Sequence, residues 1–471
     1  MGDLPPERPT IGVDEWVARA EERTQVRRGP LGALERAWNR LPPAARLAIV
    51  VGGAALFAVA TSNQYYQRVG FNVLIYAMLA LGLNVVVGWA GLLDLGYVAF
   101  WGFGAYAYAL LDSERLGLHW PPLGTMAIVI VAAALLGVLV GLPSRRLVGD
   151  YLAIVTLFFG QIFFNLANNL NLTHGPNGLT NLDPLSFFGF HVTTVRAYYY
   201  TALVLFALVA IVLWLVNNSR TGRAWRSLRE DPLAAQLLGM PINPLKLLAF
   251  AFGAAVAALT GTVFAALQVN IFPQDFYLQQ LITLYVIVIL GGAGSMTGVV
   301  LGAFTIEVVF NEILSTPHNA RLLFYVVLGC ALVLWLRPWR WLALVAGGTI
   351  ALGFAVDAIV TSLWPSGTQP LPTSGQSAEL SGWVVELTDP TKVGSYAYGV
   401  LVAGVLGLTL VRGPLRKILL VPLIYLAAFV WENELVLNPA VTALIMLGAL
   451  LVALMILRPT GLLGKERVEI S

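Results

Sequence analysis

The chain has 471 residues, of which 58% are hydrophobic and only 11% charged, and its mean hydropathy is +0.78. Soluble domains carry about 25% charged residues, so this composition excludes a water-soluble globular protein: too little charge is available to cover so apolar a core. The net charge of +3 decides little by its size, and nothing in it points to a nucleic-acid partner.

The apolar runs approach 20 residues in length, which suits spanning helices and not the alternating ten-residue strands of a barrel. The expected fold is an all-α polytopic integral membrane protein with roughly 10–14 transmembrane helices. In chain order, 1–46 reads as a cytoplasmic N-terminal arm mixing seven acidic and eight basic residues, within which Asp14–Arg28 has the pattern of an amphipathic helix with Trp16 and Val17 at the membrane surface. Apolar segments follow at 47–61, 69–88, 95–111, 123–142, 151–170, 197–216, 247–268, 279–291, 296–314, 322–336, 341–363, 396–411, 418–431 and 440–457. They group into a core, 47–336, interrupted by a charged loop at 217–246, and a further set of helices at 337–457 with an outer loop at 364–395 rich in Pro, Gly, Ser and Thr. A tail, 458–471, closes the chain.

Fourteen crossings from an inside N-terminus place 23 of the 28 Lys and Arg residues in inner segments and five in outer ones. That asymmetry is the positive-inside pattern, and it predicts both termini on the cytoplasmic side.

The 217–246 loop carries Arg220, Arg223, Arg226, Arg229, Glu230 and Asp231 between two apolar runs. Each ionised side chain costs roughly 2.5–3.5 kcal/mol at the centre of a bilayer, so the loop is predicted to be solvated. Within it, Asp231-Pro232 followed by Leu233–Leu238 and Gly239 spells a short helix, with Pro at its start and Gly at its C-terminal cap. Two glycine-rich stretches interrupt the apolar helices elsewhere, Gly88…Gly91…Asp94…Gly96 and Gly291-Gly292-Ala293-Gly294. Such glycines serve either close helix packing or an unwound backbone lining a path, and their recurrence hints at an internal repeat. Of the carboxylates, Glu307 and Asp357 lie deepest in apolar runs, where an ion-coupled carrier would keep them. Cys330, the one cysteine, excludes an intramolecular disulfide and reads as a small buried side chain.

There is no GxxxxGK[ST] phosphate loop, and no HExxH pattern among His119, His174, His191 and His318. No enzymatic activity, metal or bound cofactor is therefore expected of this chain.

Leu83-Asn84…Gly88…Gly91-Leu92-Leu93-Asp94-Leu95-Gly96…Phe100…Gly102-Phe103-Gly104-Ala105-Tyr106 resembles the glycine-rich signature of branched-chain amino-acid ABC permeases. Four further stretches in the same order resemble the second, M-type, permease subunit of those importers: Asp150–Leu157, Thr173–Leu179, Gly222–Gly239 and Leu290–Ser295. The ending Leu457–Gly464 is similar to that family's ending, so the resemblance covers about Leu47–Leu336 plus the tail. It implies a permease subunit that forms a translocation path for branched-chain or related hydrophobic amino acids, with ATP and Mg on partner subunits. The implied partners are a homologous second permease subunit, two ABC ATPase subunits and an extracytoplasmic solute-binding protein, at a bacterial inner membrane. The resemblance further implies that Arg229–Gly239 is the coupling helix, with Arg229, Glu230, Asp231, Ala234, Ala235 and Gly239 as its working residues. The general importer pattern, EAA followed by three residues and Gly, is met at Ala234, Ala235 and Gly239, but Leu233 stands where Glu is usual. Asn84, Gly88, Gly91, Asp94, Gly96, Gly291, Gly292 and Gly294 are the candidates for the path or gate. Gly175, Pro176 and Asn177 are the candidates for contact with the binding protein. The 337–457 region, set between Arg337-Pro338 and Arg458-Pro459, is extra to the family pattern. A permease for urea or short amides and a gradient-driven carrier resting on Glu307 or Asp357 remain alternatives at this stage.

Overall fold

The computed structural model describes residues 42–111, 120–145, 147, 149–187, 190–314, 316–335, 339–364, 368, 383–385, 387, 391–410, 414–435, 439–457 and 461. The arm through residue 41, including Asp14–Arg28, lies outside these residues. So do His119, Arg337-Pro338, most of the 364–395 loop, and the tail apart from Gly461.

The chain forms two compact units, Met1–Ser62 and Asn63–Ser471. In the first, Pro42 and Pro43 open helix α1 (Pro43–Ala60), whose Leu56 and Val59 are exposed. Proline is tolerated there because the first helical N–H groups have no intrahelical acceptor.

The second unit begins with α2 (Gln64–Leu83), capped by Asn63 through Tyr65 N, and continues as a π-helical stretch, Asn84–Trp89. Then come α3 (Tyr97–Leu111), α4 (Pro122–Gly141), α5 (Asp150–Asn169) and α6 (Val195–Asn218). The 217–246 region forms α7 (Arg220–Glu230) and α8 (Pro232–Leu237). Next are α9 (Ile242–Gln268), α10 (Leu278–Gly291), and α11 (Met296–Thr305) with its π-helical continuation Ile306–Ile313. The remaining helices are α12 (Pro317–Trp335), α13 (Trp339–Leu363), α14 (Thr391–Leu410), α15 (Pro414–Val430, continuing as a π-turn to Leu435) and α16 (Pro439–Leu457). Every one of the fourteen apolar segments falls on a helix. Among the described residues, eight of these helical stretches are long and apolar enough to cross a membrane. A departure from the all-α expectation is a two-residue hairpin, Ser186–Phe187 with Phe190–His191, in the loop before α6.

Helix α9 sits at the centre of the bundle. It is rich in Ala, which holds a helix at little cost, and its Ala residues with Gly253 and Gly261 let neighbours approach. A Cβ placed on Gly261 would come within 2.8 Å of Ala105 N, so α3 and α9 meet backbone to backbone. Around this contact Trp101 packs edge-on against Phe264 and Phe276, with ring centroids 5.0 Å apart in each pair. The outward faces of α4 and α6 carry Val131, Leu135, Leu139, Val204 and Leu208 in the open, as helices facing hydrocarbon do.

The additional region is tied to the end of the core. Arg321 on α12 bonds Glu432 at 2.6 Å, and Tyr325 donates to the same carboxylate at 3.0 Å. Beside them Phe324 stacks on Trp431, 4.6 Å between centroids. Asn433 holds Val385 O and Leu387 N, which fixes the described piece of the outer loop. Cys330 is exposed, contrary to the expectation from its apolar run. From Leu322 onward α12 is apolar all round, so hydropathy could not distinguish its packed face from its open one.

Candidate functional site

The charged α7 is amphipathic, and its packing explains how a loop with four arginines keeps a fixed shape. Ser219 caps it through Gly222 N. Gly222, Trp225 and Leu228, at spacing i, i+3 and i+6, are buried, while Arg223, Arg226 and Glu230 point outward. Trp225 is fully buried; its indole N–H donates to Leu245 O on α9 at 2.8 Å and its ring stacks on Trp89, 6.3 Å away. Sequence reasoning missed Trp225, although an apolar i, i+3 stripe within a basic run was its signature.

The chain then breaks at Asp231, whose backbone is extended (φ −149°). Its carboxylate accepts from Leu233 N at 2.8 Å and Ala234 N at 3.0 Å, capping α8. The expected helix Arg229–Gly239 is therefore corrected to Pro232–Leu237. Arg229 and Glu230 belong to the preceding helix, because Pro232 cannot continue a helical hydrogen-bond ladder and Asp231 starts a new one. Gly239 closes α8 in a left-handed conformation, φ +79°. Ala235 is buried, whereas Ala234 and Glu230 are exposed. Leu233, Leu237 and Leu238 are 74, 89 and 77% exposed, an apolar face left open among the described residues. Glu230 and Asp231 are both exposed, and Asp231 also caps α8 through Oδ1.

Both glycine stretches are interruptions between helices, and they meet. The first runs from the π-helical turn, where Ala90 N bonds Val85 O and Leu92 N bonds Val86 O, to the start of α3. The second is the tight connection Gly292–Ser295 between α10 and α11, with Gly292 and Gly294 at positive φ. Asn84 Oδ1 accepts from Gly294 N at 2.7 Å, and Trp89 Nε1 donates to Gly294 O at 3.3 Å. Arg229 joins them: Nη1 donates to Gly88 O, and also to Ala293 O at 3.4 Å. There is no space for larger residues. A Cβ on Gly294 would lie 2.7 Å from Arg229 Nη1, one on Gly91 2.9 Å from Arg229 Cγ, and one on Gly88 2.5 Å from Gly294 N.

Asp94 is buried; its Oδ1 accepts from Gly96 N at 3.0 Å, and Tyr285 on α10 bonds both its backbone N and O. Leu95 N donates to Thr156 Oγ1 on α5, and Gly96 packs against the same residue. Gly291 packs against Gly298 across the second interruption, and Gly292 against Gly461 of the tail. Gly175, Pro176 and Asn177 form a separate feature. Gly175 is buried at positive φ, Pro176 and Asn177 are exposed, and the loop is pinned where Leu179 and Ile271 exchange backbone hydrogen bonds at 3.0 and 2.9 Å. Glu307 is buried in the π-helical end of α11, and Asp357 on α13 accepts from Thr361 at 3.4 Å. Among the described residues no group of His, Cys, Asp and Glu is arranged to hold a metal.

A multi-pass helical bundle with two interrupted helices meeting inside it, and a short surface helix carried beside them, has the build of a transport protein. Residues 65–336 match the family described as branched-chain amino acid transport system / permease component. The chain is 38% identical to the high-affinity branched-chain amino acid transport system permease protein LivM of Escherichia coli K12, over 56% of this chain and 67% of that protein. It is 28% identical to a probable LivM of Methanocaldococcus jannaschii, over 48% of this chain and 70% of the relative. It is 26% identical to the permease protein LivH of E. coli K12, over 52% and 84%. No solved structure matches. The chain belongs to this family of permease components and is a multi-pass membrane protein.

Proposed function

We propose that this chain is one of two homologous permease subunits of an ABC importer for branched-chain or related hydrophobic amino acids, in a bacterial inner membrane. The observation that carries the reading is α8: a capped six-residue helix whose exposed leucines face away from the bundle on a support fixed by Trp225 and Arg229. Such a face suits an apolar groove on an ATPase, with Glu230 at its edge. That E. coli K12 has two permease proteins similar to this chain, LivM and LivH, supports a paired arrangement. The arginine asymmetry supports a cytoplasmic side for α7, α8 and both termini, and an outer side for the loop with exposed Pro176 and Asn177, where a solute-binding protein would deliver substrate. Binding and hydrolysis of ATP on the partners would then shift the bundle between two states through α8.

The test is uptake of labelled leucine, with urea alongside, into proteoliposomes holding the co-purified complex and internal ATP. Leucine uptake that needs ATP and fails when Gly239, at positive φ, is replaced by Val is the expected result. Uptake of urea instead moves the substrate to short amides. Uptake by this chain alone on a proton or sodium gradient overturns the reading.

A further inference from the structure

We propose that Arg229 is the positioning residue that transmits movement of α7 and α8 to the transmembrane path, by latching the two helix interruptions to each other; this rests on the importer reading above. Two segments, 141 and 64 residues from Arg229 in sequence, converge on its guanidinium, whose Nη1 donates to Gly88 O in the first interruption and to Ala293 O in the second. Both acceptors are backbone carbonyls at places where the helical ladder is broken. The cation therefore supplies hydrogen bonds that the interrupted helices lack, and it does so from outside both of them.

The surroundings are shaped to this side chain. Gly294 (φ +94°) and Gly91 (φ +70°) present bare backbone to it, and a methyl group at Gly294 would lie 2.7 Å from Nη1. The side chain is also rigidly driven. Arg229 follows Leu228, buried in the α7 seam with Trp225, and is two residues from the Asp231 cap of α8. A tilt of the α7–α8 unit cannot leave Arg229 behind. Displacement of that unit withdraws the guanidinium from Gly88 O and Ala293 O, and leaves the Asn84–Gly294 and Trp89–Gly294 bonds between the interruptions. The latch is closed in this structure, and a ligand-driven shift that changes these contacts is coupled to the path through them, beside the stack of Trp225 on Trp89.

The complex with partner subunits, reconstituted in proteoliposomes, tests this by measuring leucine uptake and ATP hydrolysis on the same sample for wild type, R229A and R229K. In R229A the leucine moved per ATP is expected to fall about tenfold, about 1.4 kcal/mol of lost coupling, while hydrolysis persists. R229K keeps the charge without the planar fork and is expected to restore part of the ratio. If R229A does not assemble, an R229K ratio equal to that of wild type overturns the proposal and a lowered one supports it. An R229A complex with the wild-type ratio overturns it, as does one that loses hydrolysis and uptake in proportion, since that would make Arg229 part of the ATPase contact. A wild-type complex with no ATP-driven leucine uptake overturns the importer reading instead, which separates the two failures.

Discussion

Asn84 Oδ1 accepts the backbone N–H of Gly294 at 2.7 Å, joining two residues 210 positions apart. Each stands where an apolar helix loses its regular ladder, and each is useful to the other: the amide at the turn into α11 lacks a helical acceptor, and Asn84 is fully buried. Replacing Asn84 with Leu leaves the half-buried Gly294 N–H without this acceptor, which costs up to about 1–3 kcal/mol. Replacing it with Asp keeps an acceptor at the same place. Thermal unfolding of the purified protein is expected to show a lower midpoint for N84L than for N84D, and equal midpoints would refute the role assigned to this bond.

The cap and the face of α8 separate by mutation. Asp231→Ala removes the acceptor for Leu233 N and Ala234 N and is expected to weaken the helix by about 1 kcal/mol. Leu237→Asp touches a side chain already 89% exposed, so the stability of the chain by itself should not change. If α8 enters an apolar groove on a partner, L237D is the variant that loses the ATPases on purification, because a charge is then desolvated without a partner. The amount of ATPase retained per permease checks this; retention equal to wild type would remove the groove from the account.

Much of this arrangement was legible in the sequence. Apolar run length located the helices, since a bilayer sets a minimum length that hydropathy reports directly. Asp231-Pro232 and Gly239 spelled the limits of α8 through capping chemistry. What could not be read was which distant pieces meet. Arg229, Gly88 and Gly294 were each singled out separately, but nothing in their local patterns shows that one guanidinium serves both interruptions. Trp225 was hidden by its charged neighbours, and the face of α12 that leaves Cys330 open has the same hydropathy as the one that packs.

The close contact of α3 and α9 predicts asymmetric tolerance along α9. Gly261→Leu must push apart two backbones, with Ala105 N 2.8 Å from even a Cβ, and overpacking of this kind costs about 1–3 kcal/mol or more. Leu248→Ala, on the same helix but at a 38% exposed position, should cost far less. Expression level and detergent melting of the two variants check the ordering; a G261L protein as stable as L248A would show that the helices can separate freely.

The link between Arg321 and Glu432 gives the additional region a measurable dependence on the core. Glu432 is fully enclosed, and its carboxylate receives Arg321 Nε at 2.6 Å and Tyr325 OH at 3.0 Å. Arg321→Ala strands a buried charge, which costs about 3–5 kcal/mol when one partner of a buried pair is removed. E432Q in that background removes the stranded charge while keeping an oxygen for Tyr325, so R321A/E432Q should be more stable than R321A alone. The coupling energy from wild type, both single variants and the double variant then measures the pair free of either residue's other contacts. Additive losses would mean that the α12–α15 seam is held by its aromatic stack, Phe324 on Trp431, and that the ion pair adds nothing to it.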